Sequence, residues 1–148
     1  MEMTPMEMAK KAKIEVIAYF IIGLPGETKE SARQTINFAK KLNPDYAKFN
    51  LAVPYPGTEM YAEALKDGLL PSLDWERFTS FSSMTAYEPI YTPKGMITSD
   101  LIKMQKQAFK EFYFRPSYIL KRLLKLKSKT ELINVFYAGR TLLAGLKK

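Results

Sequence analysis

Two glycine–proline turns hold the residues best suited to ligand chemistry. The first reads Gly23-Leu24-Pro25-Gly26-Glu27-Thr28, and the second reads Pro54-Tyr55-Pro56-Gly57-Thr58. In the first, two glycines let the backbone approach a ligand closely. Pro25 stiffens the turn, and Thr28 opens a helix N-terminus, where free N–H groups collect polar or anionic groups. Glu27 has two readings: a general base or ribose ligand, or a side chain that simply favours the helix dipole. Tyr55 can stack on a ring, although aromatics beside turns are commonly packing residues. Asn50 is a polar residue inside an apolar run. If it faces the interior it needs a partner, either a ligand or a neighbouring backbone group. Each turn alone reads more readily as a well-made strand-to-helix turn than as a site. The glycine spacing fits neither a Walker loop nor a dinucleotide fingerprint.

The elements around these turns give them a common address. Ile14 to Ile22 is a nearly continuous apolar run, the pattern of a parallel strand covered on both faces. After the first turn Thr28 caps a helix, with Ala32, Ile36, Ala39 and Leu42 in one stripe and Asn43-Pro44 as its stop. Tyr46 to Val53 reads as a second strand. Strand, helix and strand make a βαβ unit with parallel strands and a right-handed crossover. Both turns then lie at the carboxyl ends of neighbouring strands, where α/β sheets bind ligands. That pairing raises the functional reading of both.

Further elements follow from caps and periodicity. Thr4-Pro5-Met6-Glu7 starts a short helix that ends near Lys11 to Lys13. Thr58 caps a helix over 59–66, ended by Gly68. Residues 69–94 read as a connector, with a short strand near Glu88 to Tyr91. Ser99 to Phe112 is helical, with Leu101, Met104, Ala108 and Phe112 on one face. Pro116 to Lys127 is a further helix, with Ile119, Leu120, Leu123 and Leu124 set against Lys121, Arg122 and Lys125. Ser128-Lys129-Thr130-Glu131 opens a last helix to about Ala144. Two strands alone leave two edges open, so the sheet is expected to continue in a longer parent or to pair with a second copy.

The 148 residues are 47% apolar and 26% charged, a globular composition with room for one core. Val16 to Ile22, the longest apolar run, is far shorter than the ~20 residues of a membrane-spanning helix. No basic segment precedes an apolar core at Met1, so the expected location is the cytoplasm. The chain has no cysteine and no histidine. That excludes disulfides, thiolate or imidazole metal sites and His-based nucleophilic catalysis within it. The net charge of +8 lies wholly beyond Tyr113, where nine basic residues meet one acid, Glu131. This basic segment has three readings: phosphate binding on nucleic acid, contact with an anionic membrane surface, or a solvated face on a helical cap. The interleaved apolar stripe favours the last. Phe112-Tyr113-Phe114-Arg115-Pro116 reads as its anchor to the domain.

At these residues the chain resembles a family. Ala18-Tyr19-Phe20-Ile21-Ile22-Gly23-Leu24-Pro25-Gly26-Glu27-Thr28 resembles the fifth strand and following loop of radical S-adenosylmethionine (SAM) enzymes. Phe49 to Tyr61 resembles their sixth strand and its loop, and Phe112 to Pro116 with the basic helices resembles the tail of the cobalamin-binding subgroup. That subgroup includes anaerobic magnesium-protoporphyrin ester cyclases and various methyltransferases. The resemblance implies an α/β fragment of a partial (βα)6 barrel. Residues 1–70 would be the barrel's end, 71–97 a connector and 98–148 a basic helical extension. It implies a parent oxidoreductase or methyltransferase with a [4Fe–4S] cluster, SAM and cobalamin. It also implies an adenine site at Ile21, Gly23, Leu24, Pro25, Gly26, Glu27, Asn50, Ala52 and Pro54. Glu27 stands one residue further from its glycine than the family's acid usually does. The cluster's three cysteines and the first four strands are absent. The chain is therefore expected to bind no cofactor alone, to be inert alone, and to have the rest of its parent and a small-molecule substrate as partners. The runner-up is an interaction module that binds nucleic acid or an acidic surface through the basic helices.

Overall fold

The computed structural model describes residues 4–80 and 88–126, with residues 128, 130, 133, 137, 139–141 and 144 beyond them. Helix α1, Pro5–Lys11, starts at a complete capping box in which the Glu7 N–H donates to Thr4 Oγ1 and the Thr4 N–H donates to Glu7 Oε2. Strand β1 is Ile17–Ile22, helix α2 is Lys29–Leu42, and strand β2 is Tyr46–Leu51. The strands pair in parallel, with Ile17 opposite Tyr46 and Ile22 opposite Leu51, as the βαβ reading expects. Helix α3, Glu59–Lys66, and a 3-10 turn at Trp75–Arg77 precede α4, Thr98–Tyr113, and α5, Pro116–Lys125. The short strand expected near Glu88 to Tyr91 is irregular chain instead. The expected last helix falls largely outside the described residues. Those described within it, among them Thr130, Ile133 and Tyr137, are helical.

The core lies on one face of the sheet. Phe20, Ile22, Phe49 and Leu51 meet Ala32, Ile36 and Ala39 of α2 and Leu101, Ala108, Phe109 and Phe112 of α4. Phe20 stacks on Phe49 at 5.3 Å, and Phe109 meets Phe49 edge-on at 5.4 Å. Glu111 on α4 ties the two helices together through Arg33 and Lys40 of α2.

The expectation of strands covered on both faces is corrected. Ile17, Tyr19 and Ile21 are 50%, 61% and 47% exposed, alternating with the covered Ala18, Phe20 and Ile22. Both α2 and α4 pack on the same side, and among the described residues no element covers the other.

The expectation of two open edges is also corrected in part. The outer edge of β2 is closed by α4 and the connector. The Tyr113 hydroxyl accepts from the Ala47 N–H at 3.1 Å and donates to the Ala47 carbonyl at 2.8 Å. Gln105 Nε2 donates to the Phe49 carbonyl at 2.7 Å and to the Ser80 carbonyl at 2.8 Å. The Leu51 N–H donates to the same Ser80 carbonyl. No strand adjoins the outer edge of β1 among the described residues.

Candidate functional site

The two turns do emerge side by side at the carboxyl ends of the strands. The ladder continues one step past β2, where the Ala52 N–H donates to the Ile22 carbonyl at 2.8 Å. Gly23 leaves β1 with φ +91°, a region costly to any side chain, and a Cβ there would lie 2.9 Å from Leu101 Cδ1. The positive φ therefore favours glycine at 23, and a side chain there would also have to displace Leu101. The Glu27 carboxylate turns back and accepts a short hydrogen bond from the Gly23 N–H. This bond closes the turn, so Glu27 holds the loop's shape here. Leu24, Pro25 and Gly26 are exposed at its tip.

Ile21 and Asn50 are direct partners in the ladder and lie on the uncovered face. The Asn50 Oδ1 atom is buried and has no hydrogen-bond partner. This is the only unpartnered side-chain oxygen of that kind among the described residues. Ala52 and Pro54 are buried, and they form the backing of the rim more than its surface. Tyr55 is 52% exposed and touches Phe78, with ring centroids 6.3 Å apart. Thr58 caps α3 through the Tyr61 N–H and also donates to the Tyr55 carbonyl at 2.6 Å, which fixes the second turn. Ile21 and Asn50 thus lie side by side on the uncovered face, and Gly23, itself buried, leads from β1 into the turn of Leu24 to Glu27. No group of three metal-ligating side chains occurs among the described residues.

Away from the rim, α5 is turned over relative to its sequence reading. Its apolar stripe faces outward: Ile119, Leu120, Leu123 and Leu124 are 43%, 59%, 47% and 78% exposed. Its cations face the domain. Lys121 and Lys125 lie 3.2 Å and 2.7 Å from Asp45 Oδ1, and Arg122 donates to the Tyr46 hydroxyl at 2.9 Å. The buried Asp45 carboxylate also accepts from the Val16 N–H. Burial works to raise its pKa, but Lys125, the Val16 N–H and Lys121 outweigh burial and hold it at about 2. Arg115 closes the end of α2, donating to the Lys40 carbonyl and to Asn43 Oδ1, and lies over the Phe112 ring at 4.4 Å. The anchor role expected for Phe112 to Pro116 is thus made of specific bonds. The cations named for nucleic-acid binding each have a partner within the domain, Asp45 for Lys121 and Lys125 and Tyr46 for Arg122.

Sequence reasoning missed Gln105 and Asp45, and it named Tyr113 only as part of the anchor, not as the partner of Ala47. Only Gln105 carried a signal, as a polar residue within the apolar face of a helix.

The chain is thus an α/β unit with an uncovered sheet face beside two rim turns, and the names of its relatives are those of enzymes. It is 36% identical to an uncharacterized methyltransferase of Pyrococcus horikoshii over 117 residues, which is 79% of this chain and 24% of that protein. It is 29% identical to the bacteriochlorophyllide d C-12(1)-methyltransferase of Chlorobaculum tepidum over 76% of this chain and 23% of that protein. It is 30% identical to the anaerobic magnesium-protoporphyrin IX monomethyl ester cyclase of Cereibacter sphaeroides over 73% of this chain and 16% of that protein. No family model matches the chain. The chain is therefore related, at low identity, to methyltransferases and to an anaerobic cyclase, and it spans about a quarter or less of their length. No helix among the described residues is long and apolar enough to cross a membrane.

Proposed function

We propose that this chain is the adenine-binding end of a radical SAM enzyme, the last βαβ unit of a partial (βα)6 barrel in a cytoplasmic oxidoreductase or methyltransferase. The observation that carries this is the orphaned Asn50 Oδ1 on the uncovered face, directly across the ladder from Ile21. A buried acceptor without a donor costs about 1–3 kcal/mol, and an N–H on a bound ligand removes that cost. Ile21 offers an apolar surface for a flat ring, and the Gly23 backbone leads from it into the turn. Glu27 holds the turn through the Gly23 N–H. The relatives' names support an enzyme of this group. They divide between methyl transfer and cyclisation, so the reading stops at the part both reactions share.

The residues present fit adenine but not the cluster. A [4Fe–4S] cluster is held by cysteine thiolates, and this chain has none. On this reading the cluster, and cobalamin where it is used, belong to other segments of the parent protein, and this chain is inert alone. When bound, the cluster supplies the electron that cleaves SAM. This chain's residues orient the adenine and shield it from water.

Titration of SAM or 5′-deoxyadenosine into the isotope-labelled chain tests the proposal. The signals of Ile21, Gly23 and Asn50 are expected to move saturably, and Asn50→Leu is expected to abolish the movement. Saturable movement confined to other residues, or none at all, overturns it.

A further inference from the structure

A cavity of about 70 Å³ lies between α3 and the segment that returns past it, with Pro25 and Gly26 at its lip. It is outside the uncovered sheet face and has its own chemistry. Glu63 on α3 and Asp67, the residue that caps its C-terminus, line it together with Tyr91 and Lys94. Lys94 Nζ lies 2.9 Å from Asp67 Oδ2, which neutralises that carboxylate. Glu63 has no side-chain partner among the described residues. Tyr91 is only 4% exposed, and its hydroxyl also has no hydrogen-bond partner among them. An unused carboxylate and an unpaired tyrosine hydroxyl therefore share one small space, bounded by the apolar Met60 and Ala64.

We propose that this cavity binds a primary ammonium group, with Glu63 and the Tyr91 oxygen accepting from it and Met60 and Ala64 covering the attached methylenes. The cavity's wall carries a net charge of about −1 from two carboxylates and one lysine, so an anion is repelled and a cation attracted. An ammonium is compact and has three donors and no acceptor, which suits a carboxylate and a hydroxyl oxygen in so small a volume. Burial raises the Tyr91 pKa, and the charges of Glu63 and Asp67 raise it further. The hydroxyl therefore stays protonated at neutral pH. It accepts from the ammonium while its own proton remains available to a carboxylate. The ammonium can come from a free alkylamine or from a lysine side chain, and the chemistry is the same. This inference does not rest on the adenine reading, because it needs neither Ile21 nor Asn50.

Propylammonium, 1-propanol and a lysine blocked at both backbone ends, each titrated into the labelled full chain at low salt, test it. Propylammonium is expected to shift the Glu63 and Tyr91 signals saturably in the millimolar range, as suits a ligand of about four non-hydrogen atoms. Propanol is expected not to do so. Tighter binding of the blocked lysine than of propylammonium assigns the site to a side chain, and the reverse order assigns it to a free amine. Glu63→Gln and Tyr91→Phe each keep the local shape and are expected to weaken binding about tenfold. Equal binding of propanol and propylammonium, no saturable shift with either amine, or undiminished binding in both variants overturns the proposal.

Discussion

Tyr113 does for Ala47 what a neighbouring strand would do: its single hydroxyl satisfies both the N–H and the carbonyl of that residue. Phenylalanine at 113 keeps the ring contacts with Phe109, Phe112 and Tyr118 but leaves two backbone groups unpaired at a half-buried edge. Tyr113→Phe is expected to cost about 1–3 kcal/mol. Urea denaturation should show a lower midpoint with the slope unchanged. A midpoint within error of the parent chain would show that water replaces the hydroxyl freely.

Acid stability should report on Asp45. Its pKa in the fold, about 2, lies below the ordinary aspartate value of about 4. The carboxylate therefore contributes stability that is whole above about pH 4 and is lost as the pH falls through 2, on the order of 2 kcal/mol. Thermal melts of Asp45→Asn should start lower at neutral pH and vary less with pH between 5 and 2 than those of the parent chain. Parallel pH profiles would remove Asp45 as the source.

Gly23 answers to backbone and packing at once. Gly23→Ala is expected to destabilise by about 1–3 kcal/mol, because the left-handed φ disfavours any side chain and the new Cβ meets Leu101. The double variant Gly23→Ala/Leu101→Ala relieves only the contact, so its loss should exceed that of Leu101→Ala alone. If the two losses are equal, the backbone term is negligible.

The orientation of α5 separates surface from interior along one helix. Leu120→Ser and Leu124→Ser should each change stability by no more than about 0.5 kcal/mol, since both side chains face outward. Tyr118→Phe removes the bond to the Asp45 carbonyl at 2.9 Å from a buried site, and should cost about 1–2 kcal/mol. Chemical denaturation of the three variants decides it. A large loss in the leucine variants would mean that the apolar stripe is covered.

Much of the backbone plan was legible because it is local. Thr4, Thr28 and Thr58 announce helix starts, Asn43-Pro44 and Gly68 announce stops, and caps act within one turn. The parallel pairing followed from the length of the crossover. The number of covered faces did not follow. The run Val16 to Ile22 is apolar on both sides, and only the docking of α2 and α4 on one side shows which residues stay bare. The face of α5 was misread for a related reason. Sequence periodicity separates two faces but does not say which one turns inward, and Asp45, a residue far away in sequence, draws the cations in. At the site, Gly23 and Asn50 stood out by type. The bond from the Gly23 N–H to Glu27 and the missing partner of Asn50 needed coordinates.

The two edges of the sheet are unlike, and this sets a limit on self-association. The β2 side is sealed by Tyr113, Gln105 and Ser80, so among the described residues β1 is the border open to another strand. Two copies joined through β1 would use up both receptive borders and present sealed ones outward. Fibre growth needs a receptive border at each end of every unit. With a single such border among the described residues, strand pairing would stop at two copies.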